Sequence, residues 1–213
     1  LAAAFLLCGC GGAKEEYTAE AGTAEPVVKE VTMAVVGDIM VHDYQYEEAY
    51  DPATGTYDFM HNFQDVKRYF EGYDFVIGNL ELTFGGPDKE YASFPCFNTP
   101  DSFLDAVKDA GFNAIRVPTT WERQIGDDGT ISADWMSRVQ QIVDYAYDLD
   151  MYVILNMHHE DWYQPYADKE EEISAKLSSC WTQIAENFKD YDQHLIFEGM
   201  NEPRWKNTDY EWN

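Results

Sequence analysis

Three apolar runs in the C-terminal half end on groups that can do chemistry. AIRVPTTW (114–121) carries Arg116 and Pro118, then Thr119, Thr120 and Trp121. MYVILNMHHE (151–160) ends on Asn156, His158, His159 and Glu160, and HLIFEGMNEP (194–203) ends on Asn201, Glu202 and Pro203. A strand end would hold the Glu202 carboxyl on rigid backbone, and a proline directly behind it turns the chain away and keeps the space in front open. A carboxyl held in that way can give or take a proton. In isolation an Asn-Glu-Pro reads better as a surface turn. Three polar strand ends in succession read better as a shared cleft, because in a parallel α/β barrel such ends converge on one face, where active sites sit.

The elements that must position these groups alternate. Strand patterns at 114–121, 151–160 and 194–203 are separated by helical patterns at 132–150 and 169–191, the first with Ser132 or Asp134 near its cap. A further helix is expected over 102–112, with Asp101 or Ser102 as N-cap and Gly111 as its stop. Upstream, VTMAVVGDIMVHD (31–43) and YDFVIGNLELTF (73–84) read as buried parallel strands that deliver Asp38, Asn79 and Glu81, with an amphipathic helix between them over 59–73. The fold class is therefore α/β, a parallel sheet with helices outside.

The net charge of -26, from 14 basic and 40 acidic side chains, repels phosphate backbones and anionic lipids, which excludes nucleic acid and membrane-surface partners. The charge suits neutral or cationic ligands. Fifteen Tyr, 12 Phe and 6 Trp mostly serve a core, and they also supply the flat faces that sugar-binding clefts use.

Arg116-Val117-Pro118, Asn156-Met157-His158-His159 and Asn201-Glu202-Pro203 resemble glycoside hydrolase family 5, over residues 102–213. That resemblance implies a (β/α)8 barrel, here incomplete, that cleaves β-linked polysaccharide with retention and without a cofactor. It also implies Glu202 as general acid/base, Asn201 on the sugar 2-hydroxyl, Arg116 supporting the carboxylates, and His158 and His159 lining the subsites. A glycosidic oxygen is a poor leaving group unless protonated, which is the reason for such an acid. Retention needs a second carboxylate about 5 Å away, which the family carries near its seventh strand. No residue here is assigned that role, so residues 1–213 alone are expected not to hydrolyse a glycoside. Glucan, xyloglucan and mannan all fit these motifs.

The first half resembles something else. GDIMVHD, GNLELTF and SFPCFNTPDSFLDAVKDAGFN look like the start of CapA-type proteins of poly-γ-glutamate capsule synthesis, which have a calcineurin-like metallophosphatase fold. That resemblance implies Asp38, His42, Asn79 and Glu81 as ligands of a divalent metal, although the later His motifs of that family do not follow. Residues 30–101 are assigned to this partial segment and 102–213 to the partial barrel. Residues 102–113 suit both, which points to a junction of two genes. The alternatives to a glucanase fragment are thus a capsule-synthesis metallophosphatase and an inactive chimera. Residues 1–12, with Leu7-Cys8-Gly9-Cys10, resemble a bacterial lipoprotein signal, which implies lipidation of Cys10 and a protein exported to the cell surface or secreted. Residues 13–29 read as an acidic tether, and Cys96 and Cys180 make no disulfide framework.

Overall fold

The computed structural model describes residues 29–93 and 96–203. The proposed signal, Cys10 and the tether up to residue 28 lie outside the described residues, as do 204–213. The described residues from Val31 onward form one compact unit. It opens with strand β1 (Met33–Ile39), helix α1 (Asp43–Ala49) and a short hairpin, β2 (Tyr50–Asp51) with β3 (Thr56–Tyr57). Then come β4 (Phe75–Leu80), α2 (Phe103–Asp109), β5 (Ala114–Val117), α3 (Ala133–Asp148), β6 (Tyr152–Asn156), α4 (Glu170–Asn187) and β7 (Leu195–Glu198). Five strands make one sheet in the order β1-β4-β5-β6-β7, and every adjacent pair is parallel. The sheet runs without a break across residue 102, since β4 pairs directly with β5.

Local chemistry explains the helix ends. The Ser132 hydroxyl accepts from the Trp135 N–H at 3.4 Å and caps α3. Gly111, with φ of 105°, ends the chain's run out of α2, a conformation that glycine adopts without steric cost. The helix expected over 59–73 is absent. Two short 3-10 turns, Met60–Phe63 and Lys67–Tyr69, take its place. Phe59, Phe63 and Phe70 each set a ring against Phe103 or Phe112, so packing onto α2 and the turn behind it overrides the local helical pattern.

One side of the sheet is covered. Val76, Ile115, Val117, Val153 and Leu155 join Val107, Val143, Ile184 and Phe188 of the helical layer in a single buried cluster, and each fully buried aliphatic side chain contributes about 1.5–3 kcal/mol. Gly78 belongs to this side. A Cβ there would lie 2.5 Å from Ile39 Cδ1 and 2.8 Å from Phe112 Cε1, so only glycine lets β1 and the α2–β5 turn close over β4. The opposite side is open: Val35 is 70% and Ile196 45% exposed. That side is the concave one in a barrel, and the polar row described next lies on it.

Candidate active site

The register brings the strand-end side chains into rows. Asp38 pairs with Asn79, and Asn79 with Arg116, so three neighbouring strands put these side chains on one face. Two positions higher, Asn156 pairs with Glu198. Arg116 joins the rows. Its Nε and Nη2 donate to the two Glu198 carboxylate oxygens at 2.7 and 2.6 Å, a fork-to-fork pair. Nη2 also donates to Asn201 Oδ1 at 2.8 Å, and Nη1 to Asn79 Oδ1 at 3.0 Å. Asn79 in turn donates to Asp38 Oδ1 at 2.7 Å and Glu81 Oε2 at 2.9 Å. Across the cleft His158 Nε2 stands 3.5 Å from Glu81 Oε1. Residues expected to belong to two different families therefore form one polar network.

The same network fixes charge. The Glu198 hydrogen bond, opposed by burial, raises Arg116 above its ordinary value, and Glu202 is among the carboxylates that add to the rise. Burial pushes Glu198 up, but the Arg116 bonds and charge, with help from Asn156 and His158, outweigh it and hold the carboxyl below its usual range. His158 is buried, and desolvation together with the charge of His159 lowers it below the ordinary imidazole value against the pull of Glu81.

Backbone bonds above the last strand residues keep the rim rigid. His158 N–H donates to Thr119 O at 2.9 Å, and Asn201 N–H to Met157 O at 2.8 Å, so the ladder continues past the strand ends. The buried Tyr163 hydroxyl sits 2.5 Å from His158 O and 2.7 Å from Asn201 O, a clamp between the two rims. Glu202, exposed at the edge, has φ of 41°, one of two positive values among the described non-glycine residues. Left-handed backbone at a non-glycine residue costs about 1–3 kcal/mol and concentrates at functional positions.

Of the residues singled out in the sequence, Arg116, His158, Asn201, Asp38, Asn79 and Glu81 are thus linked, with His159 beside His158 at a ring separation of 4.1 Å. His42 stands apart. Its backbone N–H donates to Gln45 Oε1 at 2.8 Å at the start of α1, and its ring packs on Phe97. Among the described residues, the group of His, Cys, Asp and Glu side chains close enough to share an ion is Glu81, His158 and His159, which includes neither Asp38 nor His42. Trp121 is fully buried and offers no stacking face. Glu198 escaped the sequence reading, which gives Glu160 only as a strand-end group without a role. Glu198 ends the apolar run LIFE, and a charge at the last inward position of a strand signals a cationic partner. Glu160 is buried and raised by desolvation. It takes the Trp121 N–H at 2.5 Å and the Trp162 Nε1–H at 2.7 Å, so it orders the loop behind the histidines.

A parallel sheet with outer helices on one side, and a polar cluster at its C-terminal strand ends on the other, defines part of a (β/α) barrel with its site at the top of the strands. Comparison with known proteins makes this specific. A model of the cellulase family, glycosyl hydrolase family 5, matches residues 71–213, and the chain belongs to that family. The match takes in β4 with Asn79 and Glu81 and begins upstream of residue 102. Endoglucanase B of Clostridium cellulovorans is 52% identical over 118 residues, covering 54% of this chain and 27% of that protein. A GH5-4 broad specificity endoglucanase from Clostridium longisporum superposes with a TM-score of 0.52 at 46% identity, over 56% of this chain and 34% of that one. The Ruminococcus champanellensis enzyme of the same description, with bound cellotriose, gives 0.55 at 39% identity, over 70% of this chain and 46% of that one. The chain spans about a quarter of the length of the first of these relatives, 27%. Hydrolysis in this family uses no cofactor.

Proposed function

We propose that this chain carries the acid/base half of an endo-β-1,4-glucanase cleft. The observation that supports this most is the Arg116 fork: it grips Glu198 and Asn201 together and so presents the Asn201-Glu202 rim on the same face as His158. In this reading Glu202 protonates the departing glycosidic oxygen and later takes a proton from water. Asn201 binds the 2-hydroxyl of the reacting sugar, and His158 and His159 line the neighbouring subsites. Arg116 touches no sugar and acts as a positioning residue.

Glu198 does not serve as the nucleophile. Both its oxygens accept from Arg116, and Asn156 Nδ2 stands 3.4 Å from one of them, so the carboxylate is committed to holding the guanidinium. With no second carboxylate assigned among these residues, a polypeptide of residues 1–213 binds β-glucan but releases no reducing sugar from it. Calorimetric titration with cellotriose tests the reading. Binding with a Kd below about 10 mM, weakened about tenfold or more by Asn201→Ala or His158→Ala, is expected. No binding, or binding that both variants leave unchanged, would refute it.

For residues 31–70, upstream of the family match, the capsule-synthesis resemblance remains a proposal resting on GDIMVHD, with Asp38 at the end of β1. Metal-dependent phosphatase activity abolished by Asp38→Asn is its test. Export with lipidation of Cys10 is likewise proposed, and incorporation of labelled fatty acid, lost in Cys10→Ser, is the check.

A further inference from the structure

We infer that Glu81, His158 and His159 form a three-ligand site for a borderline divalent cation, with Zn²⁺ as the best fit. The three side chains come from two separate strand ends, after β4 and after β6, and each offers one ligand atom within 4.8 Å of the others. One edge of the site is nearly closed already. Zinc bonds of about 2.0–2.2 Å put neighbouring ligand atoms of a tetrahedron roughly 3.4 Å apart, and His158 Nε2 lies 3.5 Å from Glu81 Oε1. His159 is exposed, so its ring can turn inward by the remaining ångström or so without disturbing the core.

The surroundings prepare the ligands. Asn79 Nδ2 donates to Glu81 Oε2, which anchors the carboxylate through one oxygen and leaves Oε1 turned to His158. Such anchoring of a ligand by an outer hydrogen bond is common in metal sites. The nearby Arg116 charge opposes a cation, but Glu198 neutralises it through the paired hydrogen bonds, and Asp38 adds a negative charge on the far side of Asn79. Imidazole nitrogen with one carboxylate oxygen is a donor set suited to zinc, whereas magnesium and calcium prefer oxygen alone. Two histidines and one carboxylate leave the fourth tetrahedral position to water.

The site keeps Glu81 of the four ligands expected from the sequence, but His158 and His159 take the place of Asp38, His42 and Asn79. It also stands independently of the glucanase reading. If that reading holds, the ion and the sugar compete, because both use His158 and His159.

Calorimetry with ZnCl₂ alone, together with ¹H–¹⁵N spectra of the five histidine rings, tests the inference on the polypeptide of residues 1–213. One Zn²⁺ per chain is expected, with His158 and His159 ring signals shifting and those of His61 and His194 unmoved. His159→Ala and Glu81→Gln should each weaken binding at least about tenfold, and His194→Ala should leave it unchanged. No binding, or binding that His159→Ala and Glu81→Gln leave as tight as before, would overturn it. The surface position of His159 keeps the fold of that variant intact, so its result reads on the ligand alone.

Discussion

Removing the Arg116 side chain takes away four hydrogen bonds at once: two to Glu198 at 2.7 and 2.6 Å, one to Asn201 at 2.8 Å and one to Asn79 at 3.0 Å. The pair with Glu198 is neither buried nor free, with side chains 20% and 33% exposed. Breaking a fully buried pair costs about 3–5 kcal/mol, and an exposed one contributes about 0–1 kcal/mol. Interpolation puts Arg116→Ala at about 3 kcal/mol, of which the Glu198 pairing supplies about 2 kcal/mol. Glu198→Ala alone should cost about 2–3 kcal/mol, because it strands a half-buried guanidinium. The double variant should cost about as much as Arg116→Ala alone, which leaves a coupling energy of about 2 kcal/mol in a double-mutant cycle. Arg116→Lys keeps the charge but lacks the planar fork, and should recover less than half of the loss. Urea unfolding followed by circular dichroism at pH 7 supplies all four stabilities. A coupling within about 0.5 kcal/mol of zero would show that the two side chains act independently and would refute the argument.

Gly78→Ala should destabilise the chain by about 1–3 kcal/mol, measured by the same unfolding, since the new methyl meets Ile39 and Phe112 inside ordinary contact distance. Glu202→Gly should leave stability unchanged or raise it by up to about 1 kcal/mol, because it relieves the positive φ, while abolishing any acid-dependent turnover in a catalytically complete relative. For pH, both relevant groups have folded values below the ordinary ones of 6.5 for His158 and 4.5 for Glu198. Each therefore contributes stability that is whole above its ordinary value and is lost as pH falls through the lowered one. Stability should decline first below about pH 6.5 and more steeply below about pH 4.5. His158→Asn should remove the first part of the decline, and a decline with unchanged onset in that variant would contradict the assignment.

The parts of the fold legible in the sequence were those that local chemistry decides. The apolar runs at 114–117 and 152–156 had to be buried strands, and the apolar spacing of 133–148 behind Ser132 had to be a capped helix. Segment 59–73 misled because its aromatic residues repeat at helical spacing yet are held by rings on α2 and the turn after it, a tertiary fact. The hairpin over 50–57 carried a readable signal, Asp51-Pro52 with Gly55, and Asp51 does accept from the Ala53 N–H at 2.8 Å as such a turn requires. Within the site, Arg116, His158 and Asn201 could be picked out by residue type. Their assembly with Asn79 and Glu198 could not, because it depends on the register of four strands and on a contact spanning 82 residues.

The central claim is that the strand ends of β4 to β7 form a single sugar-facing rim. A crystal structure of the polypeptide of residues 1–213 soaked with cellotriose tests it most directly. The account predicts Arg116 seated between Asn79 and Glu198, with sugar hydroxyls within about 3 Å of His158 and Asn201. Sugar bound elsewhere, or Asn79 and Arg116 turned to opposite faces of the sheet, would contradict it.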